Sequence, residues 1–143
     1  MKELKSLYRL AEKRNIEIIY LPLPETVSMS IEPQEDTYFI GMDNSLSGTN
    51  AQERTHLAHE LGHCITGSFY NRYTAHDVRQ RHENRADKWA IRKLISSDDL
   101  DRAVAEGHTE LWDLADFFGV TEEFMQKAVC LYTHGNLATE LYF

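Results

Sequence analysis

The stretch His59-Glu60-Leu61-Gly62-His63 constrains this chain more than any other. Two histidines four residues apart on a helix leave the same face about one turn from each other, as two ligands of a single ion must. Glu60 stands between them in sequence and can reach a water on that ion. Zinc hydrolases carry this pattern, yet five residues can recur by chance, so the surroundings must support it. The competing reading is a surface helix whose histidines bind nothing.

The surroundings do support it. A helix is expected from about residue 50 to 66, with Thr49 as N-cap, Gln52 completing a capping box, and Gly67 as C-cap. At 100° per residue Leu57, Leu61, Cys64 and Ile65 gather on one side, and His56, His59, Glu60 and His63 on the other. One side can enter a core while the other lines a cleft. Cys64 then reads as a buried thiol rather than a ligand or nucleophile, and Cys130 reads the same way. His56, one turn before His59, is expected beside the site or in solvent.

Two histidines do not complete a catalytic zinc site, which usually has three protein ligands and one position for water. A second helix, expected from a capping box at Asp77 and Gln80 to about Ile95, offers Glu83 and Asp87. They share a face with Ala90 and Leu94, while Arg81, Arg85, Lys88 and Arg92 form a stripe on the far side. A carboxylate turned inward needs a partner or a metal. Glu83 as ligand, with Asp87 hydrogen-bonded to a ligand histidine, meets that need. The alternative is that both acids pair only with Arg79, Arg85 or Lys88 along their own helix, a weak kind of contact.

The flanking segments suggest an α+β chain. Residues 2 to 14 read as a helix ended by Asn15, Ile16 to Leu21 as a strand stopped by Pro22 and Pro24, and Val27 to Ile31 as a second strand. Pro33 to Asp36 reads as a turn, and Thr37 to Met42 as a third strand. That strand is either a core strand or a free edge on which an extended substrate adds. Beyond the metal-binding helices, Ser96 or Ser97 caps a short helix ending at Gly107. Thr109 to Phe118 and Thr121 to about Thr133 make a helical hairpin broken at Gly119. The hairpin has the look of a helix-turn-helix. But residues 110 to 127 hold five acids against one lysine, whereas phosphate binding needs positive charge, so it reads as a packing hairpin. Trp112, Phe117, Phe118, Phe124 and Met125 are its expected core or interface residues. The whole is read as one domain over residues 1–143, with an N-terminal helix and sheet (1–48), the metal-binding helices (49–96) and C-terminal helices (97–143).

A net charge of -8 argues against nucleic acid as a direct partner. No apolar run is long enough for a bilayer, the N-terminus lacks a signal-peptide pattern, and two unspaced cysteines suit a reducing compartment. A cytoplasmic location with no membrane partner is expected.

With these residues in view, a resemblance becomes specific. His59-Glu60-x-x-His63 followed by Glu83-x-x-x-Asp87 resembles the gluzincin arrangement of zinc peptidases. The run from His59 through Gly67 to Asn71, followed by Glu83-Asn-Arg-Ala-Asp-Lys-Trp-Ala90, resembles more closely the ImmA/IrrE metallopeptidases, which occur beside helix-turn-helix repressors in phages and integrative elements. The resemblance covers roughly residues 37 to 96. It implies a zincin-like fold with a small, mainly antiparallel sheet, one Zn2+ held by His59, His63 and Glu83, and Glu60 as catalytic base. It also implies a zinc-dependent endopeptidase that cleaves a neighbouring repressor and so derepresses a mobile element. The alternative is an anti-repressor that acts by binding, with zinc structural or vestigial. Many members carry Glu-x-Glu-Ala-Asn and a proline after the second helix. This chain has Arg85, Asp87 and Ser96 at those positions, which removes no ligand but leaves the substrate open.

The chemistry asks for one further group, a donor to the oxyanion of a tetrahedral intermediate. Tyr70, Tyr73 and His76 are candidates, as are His108, Tyr132 and His134. Sequence leaves the choice among them, the oligomeric state and the identity of the divalent ion open.

Overall fold

The computed structural model describes residues 4–140. Helix α1 (Leu4–Lys13) buries Leu7 and Ala11, four apart on one face. The first two residues of the expected helix, Lys2 and Glu3, lie outside the described residues. Asn15 at φ 58° turns the chain out of α1 and into β1 (Ile16–Leu21). Asparagine tolerates this left-handed conformation better than most side chains.

Strands β2 (Ser28–Gln34) and β3 (Thr37–Asp43) complete a three-stranded sheet in the order β1-β3-β2. β1 runs parallel to β3 and β2 antiparallel to it, so the sheet is mixed. β3 is therefore the central strand, with Ile40 and Met42 fully buried, and not a free edge. The open edge near the cleft is β2. Alternation along β3 revealed its two faces but not its neighbours, which only pairing decides. β2 also runs through Pro33, where a turn was expected. The register shifts between Ile31 and Gln34, and an edge strand with a bulge tolerates a residue that has no N–H. The reversal falls at Asp36, at φ 61°.

Helices α2 (Ala51–Thr66) and α3 (His76–Leu94) pack against each other and carry the motif residues. The start of α2 differs from the expected capping box. Asn50 occupies the cap position at φ 58° without a side-chain cap bond, and Thr49 Oγ1 instead donates to Leu46 O at 2.7 Å. Glu53 serves this end of the helix. Its buried carboxylate accepts from Gly48 N–H at 3.3 Å, from Tyr8 at 3.1 Å and from Tyr20, and so ties α1, β1 and α2 together. At the other end Gly67 adopts the left-handed conformation expected of a C-cap. α3 begins at His76 rather than at a box on Asp77. Asp77 lies in the first turn and pairs with Arg81, and Gln80 bonds Asn84.

Helices α4 (Ser97–Ala105), α5 (Leu111–Phe118) and α6 (Glu122–His134) make up the C-terminal part. Ser96 and Thr121 cap α4 and α6 by accepting from Asp99 N–H and Phe124 N–H. Two contacts from α2 fix the α5–α6 turn: Arg54 donates to Gly119 O at 2.5 Å, and Thr55 Oγ1 accepts from Thr121 N–H at 3.2 Å. Phe118, Phe124 and Met125 enter the core, whereas Trp112 and Phe117 stay exposed. Among the described residues a buried cluster runs from Leu7 through the sheet and α2 to Leu137. Cys64 is buried and Cys130 half-buried, and both are free thiols. Among the described residues no helix is long and apolar enough to cross a membrane.

Candidate metal centre

Helix spacing delivers the first two donors. His59 and His63 stand one turn apart on α2, and their Nε2 atoms converge to 3.2 Å. α3 crosses close to this face, and Gly62 is what allows it. A Cβ at Gly62 would sit 2.5 Å from Ala86 O, inside contact distance. The close approach carries Glu83 to the histidines, with Oε2 2.8 Å from His59 Nε2 and Oε1 3.2 Å from His63 Nε2. One ligand atom from each of His59, His63 and Glu83 lies within 4.8 Å of the others. A tetrahedral zinc with bonds of about 2.0–2.1 Å holds its ligands about 3.3 Å apart, so this two-imidazole, one-carboxylate set fits the ion.

Each ring is also held from behind. His59 Nδ1 lies 2.7 Å from Asp87 Oδ1, and His63 Nδ1–H donates to Ser68 O at 2.5 Å. These contacts leave the Nε2 atoms facing the common point. Glu83 and Asp87 find their partners in His59, His63, Tyr70 and Lys127, not in the arginines of their own helix. The electrostatics match a cation site. Burial opposes charge on His59, but the carboxylates of Asp87 and Glu83 outweigh it and raise its pKa to about 10. Burial likewise opposes ionisation of Glu83, and hydrogen bonds from both histidines overcome it, holding the carboxyl far below its ordinary range.

The group opens into a cleft of about 960 Å³ between β2, α2, α3 and α6. Glu60, which follows His59 directly in sequence, lines it, and its Oε2 accepts from Ser28 Oγ at 2.8 Å. Tyr70 also lines it and donates to Glu83 Oε1 at 2.7 Å. Burial and the neighbouring Glu83 push the Tyr70 phenol up to about 12, so it keeps its proton at neutral pH.

The other expected oxyanion donors are elsewhere. Tyr73 is 80% exposed and its hydroxyl accepts from Arg72, and His76 is an exposed residue at the start of α3. His108 pairs with Asp113, Tyr132 donates to Ile95 O, and His134 is exposed at the end of α6. A tyrosine or histidine in a loop carries no sequence mark of the direction it faces. Several cleft residues were not anticipated, namely Ser28 on β2 and Thr121, Phe124 and Lys127 from the C-terminal hairpin. Lys127 had one legible signal, as the single cation among five acids.

No curated protein and no solved structure matches the chain. A family model does, that of the IrrE N-terminal-like domain, over residues 11–129. The match spans α2 and α3, the sheet and most of α6. The chain belongs to the IrrE N-terminal-like domain family of peptidases.

Proposed function

We propose that this protein is a zinc-dependent endopeptidase whose substrate is a helix-turn-helix repressor encoded nearby, so that cleavage derepresses a mobile genetic element. The observation that carries the reading is the juxtaposition of the His59–His63–Glu83 group with Glu60 on one wall of an open cleft. A structural metal site needs neither an open side nor an adjacent carboxylate.

His59, His63 and Glu83 would hold the ion, which supplies polarisation of the scissile carbonyl and an acidified water. Glu60 takes the proton of the attacking water and returns it to the leaving amine. Tyr70, neutral and already donating at the site, is the best-placed group to donate to the oxyanion. Asp87 keeps His59 in the tautomer that presents Nε2.

The extended peptide has an edge to lie on. Asp43 N–H donates to Val27 O, and Ser28 pairs with Met42, so antiparallel alternation turns the backbone groups of Ser30 outward. A substrate strand can add there alongside the cleft.

The test is incubation of the zinc-loaded protein with the repressor, followed by mass spectrometry. Wild type should release fragments, and Glu60→Gln should retain one zinc per chain yet release none. Cleavage by Glu60→Gln at the wild-type rate would refute the assigned mechanism. A stable complex with no fragment from either protein would replace cleavage by binding.

A further inference from the structure

The strongest unassigned feature of the cleft lies behind Glu60. Ser28 Oγ is 2.8 Å from Glu60 Oε2 and 2.9 Å from His56 Nδ1. A hydroxyl has one proton, and an ionised carboxylate can only accept. The Ser28 proton therefore goes to Glu60, and His56 must supply an Nδ1–H to Ser28 Oγ. That fixes the neutral His56 ring as the Nδ1–H tautomer. Three side chains from two elements, His56 and Glu60 on α2 and Ser28 on β2, form one directed chain that ends on the carboxylate.

The backbone before Ser28 is built to aim it. Val27 sits at φ 66°, a conformation that a β-branched residue rarely adopts. Ser28 N–H turns back to Thr26 O at 2.7 Å, an i to i+2 bond, while Val27 O is held by Asp43 N–H at 2.7 Å. Backbone of this kind costs on the order of 1–3 kcal/mol and persists only where its surroundings impose it. Here it coincides with the residue that reaches the motif glutamate.

We infer that Ser28 and His56 are positioning residues for Glu60, which hold its carboxylate in the orientation needed to meet a proton on the cleft side. This rests on the peptidase reading given above. Without the Ser28 hydroxyl the Glu60 carboxylate loses the bond that orients it, and misplacement of a catalytic group slows the chemical step more than it weakens substrate binding. Burial lowers the pKa of His56, which agrees with a neutral ring that donates from a single nitrogen.

The test has two arms on the full, zinc-loaded chain. Long-range 15N–1H NMR at pH 7.5 should show His56 as the Nδ1–H tautomer in wild type, and as a mixture with Nε2–H in Ser28→Ala. In the second arm, repressor cleavage by Ser28→Ala should fall about tenfold in kcat, with KM and zinc affinity unchanged and with Ser28→Thr restoring the rate. An Nε2–H tautomer of His56 in wild type overturns the inference, as does wild-type kcat in Ser28→Ala. Loss of zinc binding in Ser28→Ala would also overturn it, by making Ser28 a structural residue. If wild type cleaves nothing, the peptidase reading fails, while the NMR arm still decides whether the hydrogen-bonded chain exists.

Discussion

Asp87 Oδ1 lies 2.7 Å from His59 Nδ1, and Oδ2 of the same carboxylate lies 3.2 Å from Lys127 Nζ. One carboxylate thus connects a candidate ligand on α2 to a lysine on the C-terminal helix α6. The two contacts, together with the ionisable ring, hold the Asp87 carboxyl below its ordinary range although burial pushes it the other way. The candidate metal centre is therefore tied to a part of the chain that contributes none of its three candidate ligands.

Removing this support should be felt at the metal. Asp87→Ala leaves the three donors in place but frees the His59 ring to rotate and to change tautomer. Loss of such a partner typically costs 10–100-fold in metal affinity. Competitive titration against a zinc chelator should find a loss of about that size, with the far-UV circular dichroism of wild type. Unchanged affinity would mean that Asp87 does not orient the ligand.

Gly62 is a second position where the expected result is specific. Alanine favours a helix interior over glycine by about 1 kcal/mol. Its methyl would meet Ala86 O at 2.5 Å, a backbone atom that can move only if α3 moves. Overpacking of this kind costs about 1–3 kcal/mol. Gly62→Ala should therefore lower the urea midpoint and also weaken zinc binding, because α3 carries Glu83. A more stable variant with wild-type affinity would show that the helices need no such close approach.

Acid should dissolve one tertiary contact before it reaches the core. Glu140 accepts from Lys88 Nζ at 2.6 Å and from Leu137 N–H at 2.8 Å, tying the chain beyond α6 to α3. Burial pushes the Glu140 carboxyl upward, and these bonds outweigh it, so its folded pKa lies below the ordinary 4.5. A carboxylate depressed by folding adds stability above its unfolded pKa and loses it as pH falls through the folded one. Glu140→Gln should cost about 1 kcal/mol at pH 7, as expected of a partly exposed charged pair. The difference between variant and wild type should shrink below pH 4.5 and vanish once Glu140 is protonated. A difference that stays constant from pH 7 to pH 3 would assign the contact to packing instead of charge.

Much of the candidate site's geometry was legible because it depends on helix periodicity. The four-residue spacings of His59 and His63, and of Glu83 and Asp87, fix which side chains share a face wherever a helix forms. Apolar residues opposite the histidines on α2, and Ala90 and Leu94 beside the acids on α3, fix which face of each helix turns inward. The α+β class and the helical C-terminal part followed from the same reasoning about local pattern. What pattern could not supply was adjacency between elements. The turn expected at Pro33 became part of β2, since an edge strand can spare an N–H and nothing in the sequence says which strand is the edge. The capping boxes expected at Thr49 and Asp77 were replaced by other partners, among them a buried Glu53 reached by two tyrosines from α1 and β1.

The sequence by itself determined which donors could share one ion, because backbone geometry within a helix is set locally. Only the tertiary structure decided what faces them. The crossing of α2 and α3 at Gly62 brings Glu83 to within 2.8 Å of His59. The pairing of β2 with β3 sets Ser28 behind Glu60, and the anchoring of the α5–α6 turn on Arg54 sets Lys127 behind Asp87. Each of these contacts joins residues far apart in sequence, and it exists because burying a shared core fixes the elements in one arrangement.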